Sequence, residues 1–149
     1  MTQDEYRGIF ISEFATLEKA IEYYLADYFM GSPAKNYEMI EVIIERLSFD
    51  AKRTALKTIL DKRMDSTGFK PTGTKKYPSG KIVEEIRKLQ VIRNAFAHYH
   101  LADKRENFAI RLVNFRDKAE VMEYTIDQFN KEISKIKHYT SGILRNNLQ

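Results

Sequence analysis

Six apolar residues near the start of the chain, Phe10, Phe14, Leu17, Ile21, Tyr24 and Tyr28, recur in alternating steps of four and three. That spacing places them on one face of a long helix from about Asp4 to Phe29. The helix is long and amphipathic, and its apolar face must be covered by other elements.

The remaining elements decide what covers it. Gly31, Ser32 and Pro33 break the first pattern, and a second helical stripe follows with Ile40, Ile43, Ile44 and Leu47. Asp50 is a candidate N-cap for a short third helix carrying Ala55, Leu56, Ile59 and Leu60. Residues 65–80 hold three of the six glycines and two of the three prolines, with Lys70, Lys75 and Lys76 between Phe69 and Tyr77. A loop this long is either a connector or a functional lid facing phosphate. A further helix is predicted from about Gly80 to His98, with Ile82, Ile86, Leu89, Ile92 and Phe96 on one side. Segment 108–115 alternates Phe108, Ile110 and Leu112 against Ala109, Arg111 and Val113, which is the period of a strand. Helical spacing returns from about Lys118 to Leu144, with Met122, Ile126, Phe129, Ile133 and Ile136. The expected fold is all-α: one domain over residues 1–149, an antiparallel bundle of four to five helices with a small strand-like insert between the last two.

Composition narrows the chemistry. A chain of 149 residues can bury a core without staples, and the absence of cysteine removes disulfides, thiolate zinc sites and a cysteine nucleophile. A cytoplasmic setting is expected, because no apolar run approaches the length of a membrane span and MTQDEYRGIF has acidic residues where a signal peptide carries basic ones. The net charge of +4, from 25 basic and 21 acidic residues, permits a polyanionic partner without demanding one. No metal or cofactor is expected: the three histidines, His98, His100 and His138, lack a carboxylate at ligand spacing, and TGTKKYPSG lacks the pattern of a phosphate-binding glycine loop. No serine sits in a nucleophile elbow.

The helix ending in RNAFAHYH, Arg93 to His100, carries the most chemistry. At about 100° per residue Arg93 falls among Ile86, Leu89 and Phe96, where a charge requires a partner. It is either a core arginine, paired with an acid from the first or last helix such as Glu18 or Glu22 or snorkelling to water, or a functional cation. Asn94 and His98 are one turn apart on a different face, which Val91 and Arg87 extend and which would suit a two-fold interface. His98 is either a helix-end cap or a proton-transfer group, since an imidazole can gain or lose a proton near neutral pH.

Arg93, Asn94, three residues and His98 resemble the signature of HEPN domains, the higher eukaryotes and prokaryotes nucleotide-binding family, and RNAFAH is similar to its RNxxAH form. The resemblance implies a metal-independent endoribonuclease working as a homodimer, with two motifs meeting in one cleft. In that scheme His98 is the general acid or base on the ribose 2'-hydroxyl and the leaving oxygen. Arg93 holds the scissile phosphate, and Asn94 orients the phosphate or the histidine. The products are a cyclic phosphate and a 5'-hydroxyl. Arg87, Lys75, Lys76 and His100 are the expected RNA-binding residues. The resemblance also implies a toxin or antiviral effector, with an antitoxin protein as a possible partner. Some members carry a tyrosine, modified with AMP, two positions after the histidine; here that position is His100 and the tyrosine is Tyr99, which puts that control in doubt. The alternative is a non-catalytic interaction or regulatory module of the same fold. On a regular helix Arg93 and His98 point about 140° apart, so they converge only through arginine's reach, a distorted last turn, or pairing across two protomers.

Overall fold

The computed structural model describes residues 1–116 and 119–146. Its first helix, α1 (Gln3–Met30), opens with a capping box: the Thr2 hydroxyl accepts from the Glu5 amide, and the Glu5 carboxylate accepts from the Thr2 amide. It stops at Gly31, whose φ of 69° is a left-handed conformation that glycine adopts without strain. The helix is the hub of the fold, packing against every other helix and against the sheet. Phe10, Phe14, Leu17 and Ile21 of the expected stripe are buried, and Ala20, Leu25 and Ala26 join them because neighbours approach from several sides. Tyr28, at the stripe's end, is partly exposed.

The second element is shorter than its apolar pattern suggested. Helix α2 (Pro33–Val42) gives way to a single 3₁₀ turn, Ile44–Arg46. The break turns Ile44 inward and leaves Ile43 and Leu47 exposed, so the four isoleucine and leucine positions do not share one buried stripe. Helix α3 (Phe49–Ser66) is capped by Ser48 rather than Asp50: the Ser48 hydroxyl accepts from the Ala51 amide, while Asp50 lies in the first turn. Helix α4 (Ser79–His98) buries Val83, Ile86, Leu89, Ala95 and Phe96.

The insert after α4 is a full antiparallel sheet. β1 (His100–Leu101), β2 (Phe108–Asn114) and β3 (Glu120–Thr125) lie in the order β1-β2-β3, with His100 opposite Val113 and Arg111 opposite Glu123. Met122 therefore belongs to a strand and not to the last helix, whose expected start, Lys118, lies outside the described residues. β2 is central, and its buried Arg111 is held by the Glu123 carboxylate at 2.9 Å and the Asp103 carbonyl at 2.7 Å. α5 (Ile126–Leu144) then returns along α1.

Thr125 ends β3 and starts α5, accepting from the Gln128 amide while Gln128 accepts from the Thr125 amide. Thr125→Ala should lower stability by about 1 kcal/mol, because one orphan amide of the first turn loses its acceptor. Urea denaturation measures this, and an unchanged midpoint would show that water replaces the cap at no cost.

No helix among the described residues is long and apolar enough to cross a membrane.

Candidate functional site

The last turn of α4 is held from below by aromatic packing. Phe96, inside the RNAFAH segment, lies 4.5 Å from Phe10, 5.7 Å from Tyr124 and 6.3 Å from Phe129, measured between ring centroids. These contacts tie the turn to α1, β3 and α5 at once. The helix end is pinned as well, since the Tyr99 amide donates to Ala95 and the Tyr99 carbonyl accepts from the Arg7 guanidinium at 2.7 Å. The backbone that carries Asn94 and His98 is thereby fixed on a rigid support, which is what a precise site needs.

With Phe96 and Ala95 turned inward, the opposite face of α4 presents Arg87, Val91, Asn94 and His98 to solvent. This is the face that helical spacing separates from the core stripe. Val91 is 49% exposed although apolar. At its C-terminal end this face forms one wall of an open groove of about 600 Å³, lined by Val91, Asn94, Ala95, His98, Tyr99, Asn114 and Arg116. Ligand clefts commonly fall in this size range. No side chain among the described residues hydrogen-bonds to the Asn94 amide or the His98 ring, so both are available to a ligand.

Arg116 was not among the residues singled out from the sequence. It reaches the groove because β2 pairs back against β1 directly after α4 ends, which carries the end of the β2 segment to the motif. The one signal was its place just after the strand-like FAIRLVNF, and periodicity could not say which helix that strand end would meet.

Arg93 points elsewhere. Its guanidinium stands over the Phe14 ring, 5.1 Å from the centroid, and its Nε is buried with no hydrogen-bond partner among the described residues. Neither Glu18 nor Glu22 pairs with it; both face Lys52 of α3, at 2.9 and 3.8 Å. The core-pair reading of Arg93 is corrected on this point. The Phe14 ring face offers the guanidinium a cation–π contact, while its buried Nε N–H stays without an acceptor among the described residues.

The basic residues of the 65–80 segment are not beside His98 within one protomer. α3 extends to Ser66 and α4 begins at Ser79, and the intervening loop folds against the start of α4. Its Tyr77 hydroxyl donates to Asp65, which pushes the phenol up to about 12. Lys75 lies over Phe69, and Lys76 lines a hollow with Lys57, Pro71 and Lys81. Eighteen residues of helix separate Gly80 from His98, roughly 27 Å at 1.5 Å per residue. Arg87 shares the motif's face but is held in a two-point contact by Glu84, whose carboxyl is lowered by that bond. His100 lies in β1, beside the Phe115 ring.

No family model, curated protein or solved structure matches this chain. Its own geometry must therefore carry the functional reading. A smaller cavity of about 90 Å³, between Tyr24, Asp61, Arg63 and Tyr77, offers less: Ser79 donates to Asp61, and Arg63 donates to Asn146, so its polar groups are already engaged. Among the described residues no cluster of histidine, aspartate or glutamate could hold a metal. The groove at His98 brings together an imidazole and an amide that make no side-chain hydrogen bond among the described residues.

Proposed function

We propose that this chain is a metal-independent endoribonuclease of the HEPN type, acting as a homodimer across the exposed face of α4. The observation that carries the reading is the shared groove of His98, Asn94 and Arg116, in which an imidazole and an amide stand uncommitted beside a cation. RNA can be cut with no metal when a base takes the 2'-hydroxyl proton and the oxygen attacks the adjacent phosphorus. An acid must then protonate the departing 5'-oxygen, and donors must hold the phosphate as its charge grows. His98 supplies proton transfer, and Asn94 and Arg116 supply donors.

Arg93 supplies the strongest donor if two copies pair. Within one protomer it faces α1 and Phe14, on a different side of α4 from the groove. A second copy laid along Val91, Asn94 and His98 would bring its own α4 alongside, and each Arg93 would then have to swing off its Phe14 ring to serve the histidine of the other copy. The exposed, apolar Val91 suits such a contact.

Incubation of purified protein with total RNA in EDTA tests the reading. The wild type should cut and leave cyclic phosphate ends, while Arg93→Ala should cut about 10²–10³-fold more slowly, the usual cost of losing a charge-stabilising donor. Denaturation of the variant separates this from lost packing on Phe14. A folded, dimeric wild type that leaves every RNA intact would set catalysis aside in favour of a binding module.

A further inference from the structure

Beside the groove lies an aromatic pair that proton transfer does not use. The His100 and Phe115 rings are 5.6 Å apart and inclined at 44°. His100 is exposed, and Phe115 is 68% exposed at the end of β2. A single exposed phenylalanine needs no explanation. Its position is what gives it meaning, because it sits between Asn114 and Arg116, both of which line the groove.

The strand register explains how one segment serves both features. His100 is opposite Val113, and Phe115, just past the end of β2, lays its ring beside that of His100. Asn114 and Arg116 line the groove with His98. The Asn114 carboxamide accepts from the Arg116 amide at 3.1 Å, which closes the turn. The result is a polar channel with two inclined aromatic rings at its rim.

We infer that His100 and Phe115 give this chain a stacking site for one unpaired nucleobase beside the groove; this rests on the ribonuclease reading above. The phosphates run through the groove past Arg116 and His98, and one base is splayed over the rim onto the rings. A base in a duplex is already stacked on both faces and cannot be offered to the platform, whereas loop and single-strand bases can. Arginine beside the aromatic ring fits the adjoining phosphate.

The test is a fluorescence-anisotropy titration of a short labelled single-stranded RNA and of a duplex of the same composition. His98→Ala protein keeps the probes intact. Adding Phe115→Ala should weaken single-strand binding by about tenfold, within the range for loss of one stacked base, and leave the weaker duplex binding unchanged. Phe115→Trp should restore it. Unchanged single-strand affinity, an equal loss on both probes, or a fall in oligomeric mass with Phe115→Ala would each overturn the platform, the last by showing a contact between copies. If neither probe binds, the platform also falls, and cleavage by the wild type in EDTA would still uphold the nuclease. Phe115-dependent single-strand binding by a wild type that cuts nothing would retain the platform and remove the nuclease.

Discussion

His98→Ala should reduce RNA cleavage by about 10²–10⁴-fold, the usual contribution of one positioned acid–base group, while leaving the urea midpoint where it was. The separation follows from the structure. His98 is exposed, makes no side-chain hydrogen bond among the described residues, and sits on a turn whose position is set by Phe96, Tyr99 and Arg7. Surface substitutions of this kind usually move stability by less than about 0.5 kcal/mol. The imidazole can therefore be removed with its backbone left in place. A variant that melts early would make His98 a structural cap. One that remains folded and cuts at the wild-type rate would remove it from proton transfer.

Lys52→Ala should cost roughly 3–5 kcal/mol, the penalty for leaving a buried charge without its partner. Lys52 is 3% exposed and Glu22 is 1% exposed, deep between α3 and α1. The Lys52 ammonium is 2.9 Å from Glu18 and 3.8 Å from Glu22. Lys19 also approaches Glu22, at 3.3 Å, but its side chain is largely in water and its attraction is screened. Domains are commonly stable by only 5–15 kcal/mol, so this loss would bring the chain close to unfolding at room temperature. Urea denaturation measures it. Replacing Lys52 and Glu22 together by leucine should recover most of the loss, because a matched apolar pair removes both desolvated charges. If Lys52→Ala alone proves neutral, water reaches Glu22 and the pair is not sealed.

The two experiments probe different elements of the fold. The Lys52 cluster holds α3 against the hub helix, and the His98 groove lies where α4 meets the sheet. Loss of cleavage with retained stability, and loss of stability at a position away from the groove, would together show that chemistry and folding rest on different residues.

Several features were legible in the chain itself. The four-and-three spacing from Phe10 to Ile21 marked the face of α1 that is buried, and the same arithmetic on α4 put Asn94 and His98 together and Arg93 away from them. Alternation at 108–114 marked β2. The helical reading failed at Met122, which lies in β3. A strand that short shows too few apolar positions to separate a period of two from one of nearly four.

Other features required the folded chain. Sequence spacing reports which side of its own element a residue occupies, and it carries no information about what is brought against that side. Glu18 and Glu22 were therefore visible as acids near the core stripe, yet tertiary packing gave them to Lys52 and gave Arg93 the Phe14 ring. The segment carrying Lys75 and Lys76 reads as either a connector or a phosphate-facing lid, and only the fold sets it at the start of α4, away from His98. Arg116 and Phe115 became neighbours of the motif only through the pairing of β1 with β2. The sequence alone determined the buried face of α1 and the face of α4 bearing the motif, because those depend on local periodicity; the end of α2, the strand at Met122, the groove and its aromatic rim were decided by tertiary packing and long-range pairing, which local periodicity does not encode.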